Sequence, residues 1–344
     1  MTTQVRDVRF DLARSFACVG VVVLHTTGQF ASSYGTIGEC FASALHFMFR
    51  ASVPLFFMAS GYFQLLRYSG DARGYYCKRA RRVWVPTLFW SAFYVVLLAL
   101  DRIFRGESLE LTTIFGDWIY YGKPGAGYHL WFLYALLALD LLTPFVSRFI
   151  SQSSRRLTFA LSVLLYVIFG IITNYSLAHG GRGASDLLVY ALGVGYLSYF
   201  YWGYALGRRF VARVNSRTLA LASLVYVLST LGMTLTSFTL GADYARNAFL
   251  PLCALQAFSV YALALGAPLD NASRLRRCVE RFAPLTFGVY LVHVAILPVL
   301  SRLFARVGIV ESPTSAVALT LCAITAATVA TLILRRVPYL RRLV

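Results

Sequence analysis

Charged residues are scarce in this sequence, and acidic residues are the scarcest of them. Only 13% of the 344 residues are Asp, Glu, Lys or Arg, and Asp and Glu together number 14. Soluble domains carry about 25% charged residues, so the composition excludes a soluble enzyme with a polar surface. Apolar residues make up 58% of the chain, and the mean hydropathy is +0.66. This balance indicates an integral membrane protein.

Cysteine is also sparse, and the pattern of cysteines contains no metal-binding or disulfide motif. None of the six forms a CxxC pair: Cys18, Cys40, Cys77, Cys253, Cys278 and Cys322. We therefore predict neither a disulfide framework nor a zinc site. No repeat of fixed period and no Gly/Ser-rich linker divides the chain, so we expect one domain over residues 1–344. The first apolar run follows a polar stretch with two arginines, which predicts a signal anchor rather than a cleaved leader.

Ten apolar runs approach the length of a spanning helix, which is about 20 residues. They cover approximately residues 12–30, 43–66, 83–100, 127–147, 157–175, 187–206, 218–237, 247–267, 285–304 and 314–334. The sequence therefore predicts an all-α integral membrane protein with about ten transmembrane helices. Because helices of this length use most of the chain, no separate soluble catalytic domain is expected. Any chemistry must be built from helices and short connections.

Basic residues cluster in alternate connections between these runs. Most of the 32 Lys and Arg residues lie near the termini or within 67–82, 148–156, 208–217, 274–281 and 335–342. By the positive-inside rule, these segments and both termini are predicted to be cytoplasmic. The longest connection on the other side, about 101–126, contains several aromatic pairs and is predicted to be an interfacial segment.

Polar residues in the first apolar run are costly in a bilayer and are therefore functional candidates. Arg14 and His25 lie eleven positions apart, which places them on one helix face about 16 Å apart along the axis. Asp11 shares that face and is a candidate partner of Arg14. Two structural alternatives are open: Arg14 extends to the lipid headgroups, and a neutral His25 bonds a backbone carbonyl.

The second run carries Arg50, which helix rise places about 10 Å deep and level with His25. An arginine at that depth needs a partner or a wet cavity. Pro54 is predicted to kink the helix and free a carbonyl. Ser60 is a candidate nucleophile or substrate contact, but it lacks a GxSxG elbow, and close packing through Ser60-Gly61 is favoured.

Two arginines near the inner surface are candidates for binding phosphate. Arg79 and Arg82 are spaced i,i+3, which places them on one helix face, although inner-surface charge facing lipid is the alternative. Asp140 is an acid in the inner half of the fourth run, and its depth predicts an ion pair with Arg14.

The remaining candidates are aromatic or histidine side chains. His129 and Trp131 begin the fourth run, where an aromatic belt is the alternative explanation. Tyr290 and His293 lie three apart near the middle of the ninth run. His46 and His179 are interpreted as structural.

Several of these stretches, in this order, resemble the acyltransferase 3 family of multi-spanning bacterial membrane proteins. The stretches are Phe10-Asp11-Leu-Ala-Arg14 with His25, Arg50 through Ser60-Gly61-Tyr62, Arg79-x-x-Arg82 before Pro86, His129-Leu-Trp131-Phe-Leu-Tyr134, and Phe287-Gly-Val-Tyr290-Leu-Val-His293. Asp140 departs from the family pattern, in which an uncharged residue is expected. No HxxxxD acyltransferase signature follows any histidine.

The resemblance implies a ten-helix enzyme of the bacterial inner (plasma) membrane. It implies transfer of an acyl group, usually acetyl from acetyl-CoA, to a sugar hydroxyl of a surface polysaccharide or lipid-linked glycan precursor. Acyl-CoA, the glycan and membrane lipids are the expected partners, with no metal and no nucleic acid. The expected catalytic residues are His25, Arg14 and Asp11, and the expected substrate-binding residues are Arg50, Ser60, Tyr62, Arg79, Arg82, His129, Trp131, Tyr290 and His293.

A mechanism follows from these positions. The phosphates of CoA would bind Arg79 and Arg82 at the inner surface, and the pantetheine arm would extend between helices. Its length, on the order of 15–20 Å, is comparable to the rise from Arg14 to His25. His25 would then act as general base on the acceptor hydroxyl, and direct transfer and an acyl-histidine intermediate both stay open.

Two other classes of protein fit the same composition. One is a transporter or flippase of a glycan or lipid intermediate, and the other is a sensor or scaffold without chemistry. The apolar runs hold one clear acid, Asp140, and show no paired broken segments in two halves, which disfavours a transporter. Thioester consumption that depends on an added glycan discriminates all three classes.

Overall fold

The computed structural model describes residues 7–31, 34–106, 128–178, 193–212, 214–270, 273–309 and 312–344. These residues are helical and include no strand. The main helices are α1 (Val8–Thr27), α2 (Ile37–Met48), α3 (Ser52–Arg67), α4 (Ala72–Arg79), α5 (Val85–Phe104), α6 (Trp131–Gln152), α7 (Arg155–Ala178), α8 (Leu197–Ala212), α9 (Ser216–Leu240), α10 (Pro251–Gly266), α11 (Arg274–Phe282), α12 (Thr286–Arg306) and α13 (Pro313–Leu334). The interfacial segment predicted within 101–126 lies outside the described residues beyond Gly106.

Seven helical stretches among the described residues are long and apolar enough to cross a membrane. They are Ile37–Arg67, Ala72–Phe104, Trp131–Gln152, Arg155–Ser176, Ser216–Leu240, Arg274–Arg306 and Pro313–Leu334. The other three predicted spans correspond to α1, α8 and α10. α8 and α10 have 16 residues each, and α1 contains three charged residues. An all-α, multi-pass membrane protein is thereby confirmed, while ten spans and cytoplasmic termini stay predictions.

The side chain of Asp7 caps the amino end of α1. The carboxylate of Asp7 accepts hydrogen bonds from the backbone N–H of Arg9 at 3.1 Å and from its Nε at 3.0 Å. Burial alone would raise the pKa of Asp7, but the hydrogen bonds and charge of Arg9 hold it below its ordinary value. A charged acid at the amino end of a helix is stabilising, so the start of α1 is fixed.

α1 is central among the described helices and contacts α3, α10, α12 and α13. Gly20 allows one especially close approach, because a Cβ at that position would lie 2.1 Å from Ser52 Oγ. The amino end of α3 therefore sits directly against α1. His25, one and a half turns further along α1, is placed inside the helix bundle rather than on its lipid face.

α3 and α8 touch through their backbones. A Cβ on Gly61 would lie 1.8 Å from the carbonyl oxygen of Phe200, and one on Gly203 would lie 2.0 Å from that of Met58. Small residues permit such approaches between membrane helices. The structure thus uses Ser60-Gly61 for the close packing that the sequence favoured.

Candidate functional site

Three histidines from distant parts of the chain meet inside the bundle. His25 comes from α1, His129 from the 3₁₀ turn Tyr128–Leu130 before α6, and His293 from α12. The ring centroids of His25 and His293 are 5.3 Å apart, as are those of His129 and His293. His129 and His293 are buried, whereas His25 is half-buried. His25 is therefore the least buried member of this histidine cluster.

The orientation of His293 is fixed by its own helix. Its Nδ1 lies 2.7 Å from the carbonyl oxygen of Tyr290 and 3.2 Å from that of Val289. Because a carbonyl can only accept, Nδ1 carries the proton in the neutral ring and Nε2 carries a lone pair. Nε2 is buried and has no hydrogen-bond partner among the described residues. The cluster therefore contains an acceptor nitrogen in an apolar setting.

Two tyrosines hold the helices around His129. The hydroxyl of Tyr290 donates to the backbone carbonyl of His129, and the two rings are 5.4 Å apart. The hydroxyl of Tyr94 donates to the carbonyl of Leu291 at 2.6 Å, and its ring lies 5.0 Å from that of His129 at an angle of 82°. Tyr94 was not singled out in the sequence, because nothing distinguishes it from other aromatics in its apolar run.

Arg50 lies in a break between two helices rather than within one. The predicted span 43–66 divides at Phe49–Ala51, where α2 ends and α3 begins. Pro54 explains the position, since it has no N–H to bond the carbonyl of Arg50 four residues earlier. The Sγ of Cys253 lies 3.9 Å from that carbonyl oxygen. The freed carbonyl predicted from Pro54 is thus that of Arg50.

The side chain of Arg50 contacts a neighbouring backbone carbonyl and lies near two histidines. It is half-buried, and its Nη2 donates to the backbone carbonyl of Arg246. Its charge is close enough to act electrostatically on His25 and on His46. That Arg50 lies level with His25 in the membrane stays a prediction.

The side chain of Gln256 forms hydrogen bonds to both sides of the break between α2 and α3. Its Oε1 accepts from the N–H of Ala51 at 2.9 Å, and its Nε2 donates to the carbonyl of Phe47 at 2.8 Å. Nε2 also donates to Thr230 Oγ1 at 2.8 Å, and the side chain is fully buried. Gln256 therefore replaces helical hydrogen bonds that the break removes. An amide within an apolar run was the signal that could have identified it.

Asp11 and Arg14 lie near the amino end of α1, and α1 continues without interruption to His25. Asp11 is buried and Arg14 is exposed. The charge of Arg14 acts on the thiol of Cys18, one turn further along. Because the helix is regular, the rise of about 16 Å from Arg14 to His25 applies to the structure.

Asp140 pairs with Arg79, so the predicted pair with Arg14 is wrong. Arg79 Nη2 lies 2.9 Å from Asp140 Oδ1, and Trp84 Nε1 donates to Oδ2 at 3.1 Å. The Asp140 side chain is fully buried and that of Arg79 is 19% exposed. The physical reason is the packing of α6 against α3, α4 and the segment after α4, which directs the carboxylate away from α1.

Arg79 and Arg82, which the sequence predicts on one helix face, have different surroundings. Residues Ala80–Trp84 form a π-helical turn, which has more residues per turn than an α-helix and changes the direction of the side chains. Arg79 is held by Asp140, whereas Arg82 is exposed. Arg82 is thus the freer of the two to meet a ligand at this end of the bundle.

Three further predicted residues lie in other surroundings. Tyr62 stacks on Phe10 with ring centroids 4.1 Å apart, near the amino end of α1. Trp131 lies against Tyr196, with centroids 5.6 Å apart. Ser60 is half-buried on α3 beside the close contact with α8. Substrate contact by these residues stays a prediction.

The other two histidines were interpreted as structural. His46 is buried, and its Nδ1 lies 3.3 Å from Thr27 Oγ1. His179 lies outside the described residues. In the part of the chain that the structure describes, no group of three or more His, Cys, Asp or Glu residues is arranged to hold a metal ion.

Comparison with known proteins adds a single finding to this geometry. A family model described as an acyltransferase domain, that of the acyltransferase 3 family, matches residues 7–336, which is nearly the whole chain. No significant match was found among curated proteins or among solved structures. The chain therefore belongs to the acyltransferase 3 family, and it is a multi-pass membrane member of that family.

Proposed function

We propose that the protein transfers an acyl group, with acetyl expected, from acyl-CoA to a sugar hydroxyl of a surface polysaccharide or lipid-linked glycan precursor. The bacterial inner membrane is the proposed location. The observation that carries the proposal is the histidine cluster with Arg50 beside it, inside the bundle of a membrane acyltransferase. Polar groups at such depth are costly, so their grouping favours a reaction site over a structural role.

His25 acts as the general base in this proposal. It is half-buried where His129 and His293 are buried, so an acceptor hydroxyl can approach its ring. The imidazole removes the hydroxyl proton while the oxygen attacks the thioester carbonyl. As the C–O bond forms, the C–S bond breaks, and the thiolate of CoA leaves with the proton that His25 returns. No protein nucleophile is needed.

His293 and His129 are positioning residues. The lone pair on His293 Nε2 suits it to accept a hydrogen bond inside the cluster, because Nδ1 is already committed to the carbonyl of Tyr290. A hydrogen bond from the protonated ring of His25 would stabilise the charge that forms during transfer. The bond from Tyr290 to the carbonyl of His129 keeps both elements at this distance.

Arg50 stabilises negative charge on the reacting carbonyl oxygen. Its guanidinium has five N–H donors, and one nitrogen is held by the carbonyl of Arg246. A fixed cation in an apolar site interacts strongly with a developing oxyanion and needs little reorganisation. Loss of such a donor typically costs about 10²–10³ in rate.

The acyl-CoA nucleotide is assigned to the arginine-rich end of the bundle. Arg82 is exposed, whereas Arg79 is engaged by Asp140. Guanidinium groups bind phosphate in a bidentate manner, so Arg82 is the proposed phosphate ligand, and Arg79 is held beside it by Asp140. The pantetheine arm would then cover the rise of about 16 Å along α1 to His25.

The test is thioester consumption by purified protein in sealed vesicles. Acetyl-CoA is supplied on the arginine-rich side, and free thiol is measured with and without a glycan acceptor fraction. Release of thiol that requires the glycan, with a glycan mass gain of one acetyl group, supports the proposal. Movement of the glycan across the bilayer without thiol release would instead show a transporter.

A further inference from the structure

A second site lies apart from the histidine cluster. A cleft of about 1460 Å³ opens between α3, α6, α7, α8 and α10, and none of the histidines lines it. Drug-sized ligands fill pockets of about 300–1,000 Å³, so this volume suits a larger molecule. The proposed acyl transfer makes no use of this cleft.

One end of the cleft is strongly basic. Arg155 and Arg156 begin α7, Arg208 and Arg209 lie in the last turns of α8, and all four are exposed. No Asp or Glu is found among the described residues that line the cleft. Guanidinium groups bind phosphate well, since each can donate two parallel hydrogen bonds, and Arg208 Nη1 also donates to the hydroxyl of Tyr204 at 2.9 Å.

The rest of the cleft is apolar and runs along the helices. Arg155 and Tyr166 both line it, and their separation of eleven positions on α7 corresponds to about 16 Å. One leaflet of a bilayer is similar in depth, since the hydrocarbon core is about 30 Å thick. Phe159, Val163 and Leu255 line this part and are all more than a third exposed. The cleft therefore has the length and the surface of an acyl-chain site.

Three polar side chains in the wall, those of Thr158, Tyr201 and Trp202, are hydrogen-bonded, whereas the buried hydroxyl of Tyr166 has no partner among the described residues. Thr158 Oγ1 and the hydroxyl of Tyr201 are 2.8 Å apart, and Trp202 Nε1 donates to Ser162 Oγ at 2.9 Å. Hydroxyl and indole groups that are already bonded do not require a polar ligand. These bonds also join α7 to α8, which fixes the width of the cleft.

We infer that this cleft binds an anionic diacyl phospholipid. The phosphate lies among the four arginines, and an acyl chain occupies the apolar part. Basic pockets between membrane helices bind anionic headgroups, and each basic residue near the surface contributes about fivefold in affinity. A free phosphate would leave the 16 Å apolar wall uncovered, and a zwitterionic lipid would leave the excess positive charge uncompensated.

The experiment measures which lipid the protein retains. The full chain is reconstituted in vesicles of equal phosphatidylglycerol and phosphatidylcholine, extracted in mild detergent and examined by native mass spectrometry. We expect bound phosphatidylglycerol in the wild type. Replacing Arg155, Arg156, Arg208 and Arg209 by Gln should reduce it by at least about tenfold. The matched control replaces four exposed arginines elsewhere, Arg274, Arg281, Arg336 and Arg341, by Gln and should retain the lipid.

A second variant tests the chain site without changing charge. Val163→Trp together with Leu255→Trp should fill the apolar part and displace the lipid while the four arginines remain. Equal retention of the two lipids, or unchanged retention in both the arginine and the tryptophan variants, would overturn the proposal. Displacement of the lipid by excess inorganic phosphate alone would show a phosphate site rather than a lipid site, and would also overturn it.

Discussion

Among the three clustered histidines, His25 is the least buried. If it is the general base, His25→Ala should lower the rate of acyl transfer by about 10²–10⁴ while the protein still folds. The measurement is acceptor-dependent release of thiol from acetyl-CoA. The matched control is His179→Ala, which removes a histidine that the sequence analysis interprets as structural and should keep full activity. Full activity in the His25 variant would contradict its assignment.

The pair of Arg79 and Asp140 predicts a second single-residue effect. Asp140 is fully buried, so Arg79→Gln would leave its charge without the guanidinium that compensates it. Breaking a buried pair in this way costs about 3–5 kcal/mol, and we expect a clear loss of thermal stability in detergent. Asp140→Asn in the same chain should restore much of that stability, because it removes the uncompensated charge.

Arg82 serves as the comparison for that experiment. It is exposed and lies three residues away, so Arg82→Gln should leave stability unchanged. If it binds CoA phosphate, the same variant should raise the apparent KM for acyl-CoA, and Arg82→Lys should restore part of the affinity. An unchanged KM in Arg82→Gln would exclude it as a phosphate ligand.

The break between α2 and α3 depends on one amide from α10. Gln256 bonds the N–H of Ala51 and the carbonyl of Phe47, so Gln256→Leu leaves both groups buried without that partner. We expect a loss of about 1–3 kcal/mol in stability. Ser259→Ala on the same helix is the control, since among the described residues Ser259 Oγ bonds only the carbonyl of Leu255, and its loss should cost about 0.6 kcal/mol. Equal losses in the two variants would contradict the role of Gln256.

The contact between α3 and α8 predicts a second effect on helix packing. Gly61→Ala places a methyl group 1.8 Å from the carbonyl oxygen of Phe200, which is backbone and cannot rotate away. We expect a much lower yield of folded protein, measured by size-exclusion chromatography after extraction. Gly28→Ala is the control, because a Cβ there meets nothing within 4 Å. A normal yield of the Gly61 variant would show that the two helices can separate without cost.

The orientation of the whole molecule is testable with its native cysteines. Cys77 and Cys278 are exposed in the basic segments that the positive-inside rule places in the cytoplasm. An impermeant maleimide should label both only in inside-out vesicles, with the sites identified by peptide mass spectrometry. Ile37→Cys, at a position that is 91% exposed, should react only in right-side-out vesicles. Labelling of all three positions from one side would overturn the predicted topology.

The sequence by itself determined the class of the protein. Runs of apolar residues identify membrane helices because the hydrophobic effect acts on each segment separately. The spacing of Arg14 and His25 fixed their relation because both lie on one regular helix. The motifs around Asp11, His129 and His293 were sufficient to indicate the family, which the match over residues 7–336 shows.

Only the tertiary structure decided which candidates lie together. The meeting of His25, His129 and His293 depends on how three helical elements pack, and helical periodicity does not specify the neighbour of each face. The pairing of Asp140 with Arg79 rather than Arg14 has the same origin. The break beside Arg50 needed Gln256, more than 200 residues away, to bond its free backbone groups. Each of these contacts joins separate helices that are distant in the sequence, so no local stretch of sequence specifies it.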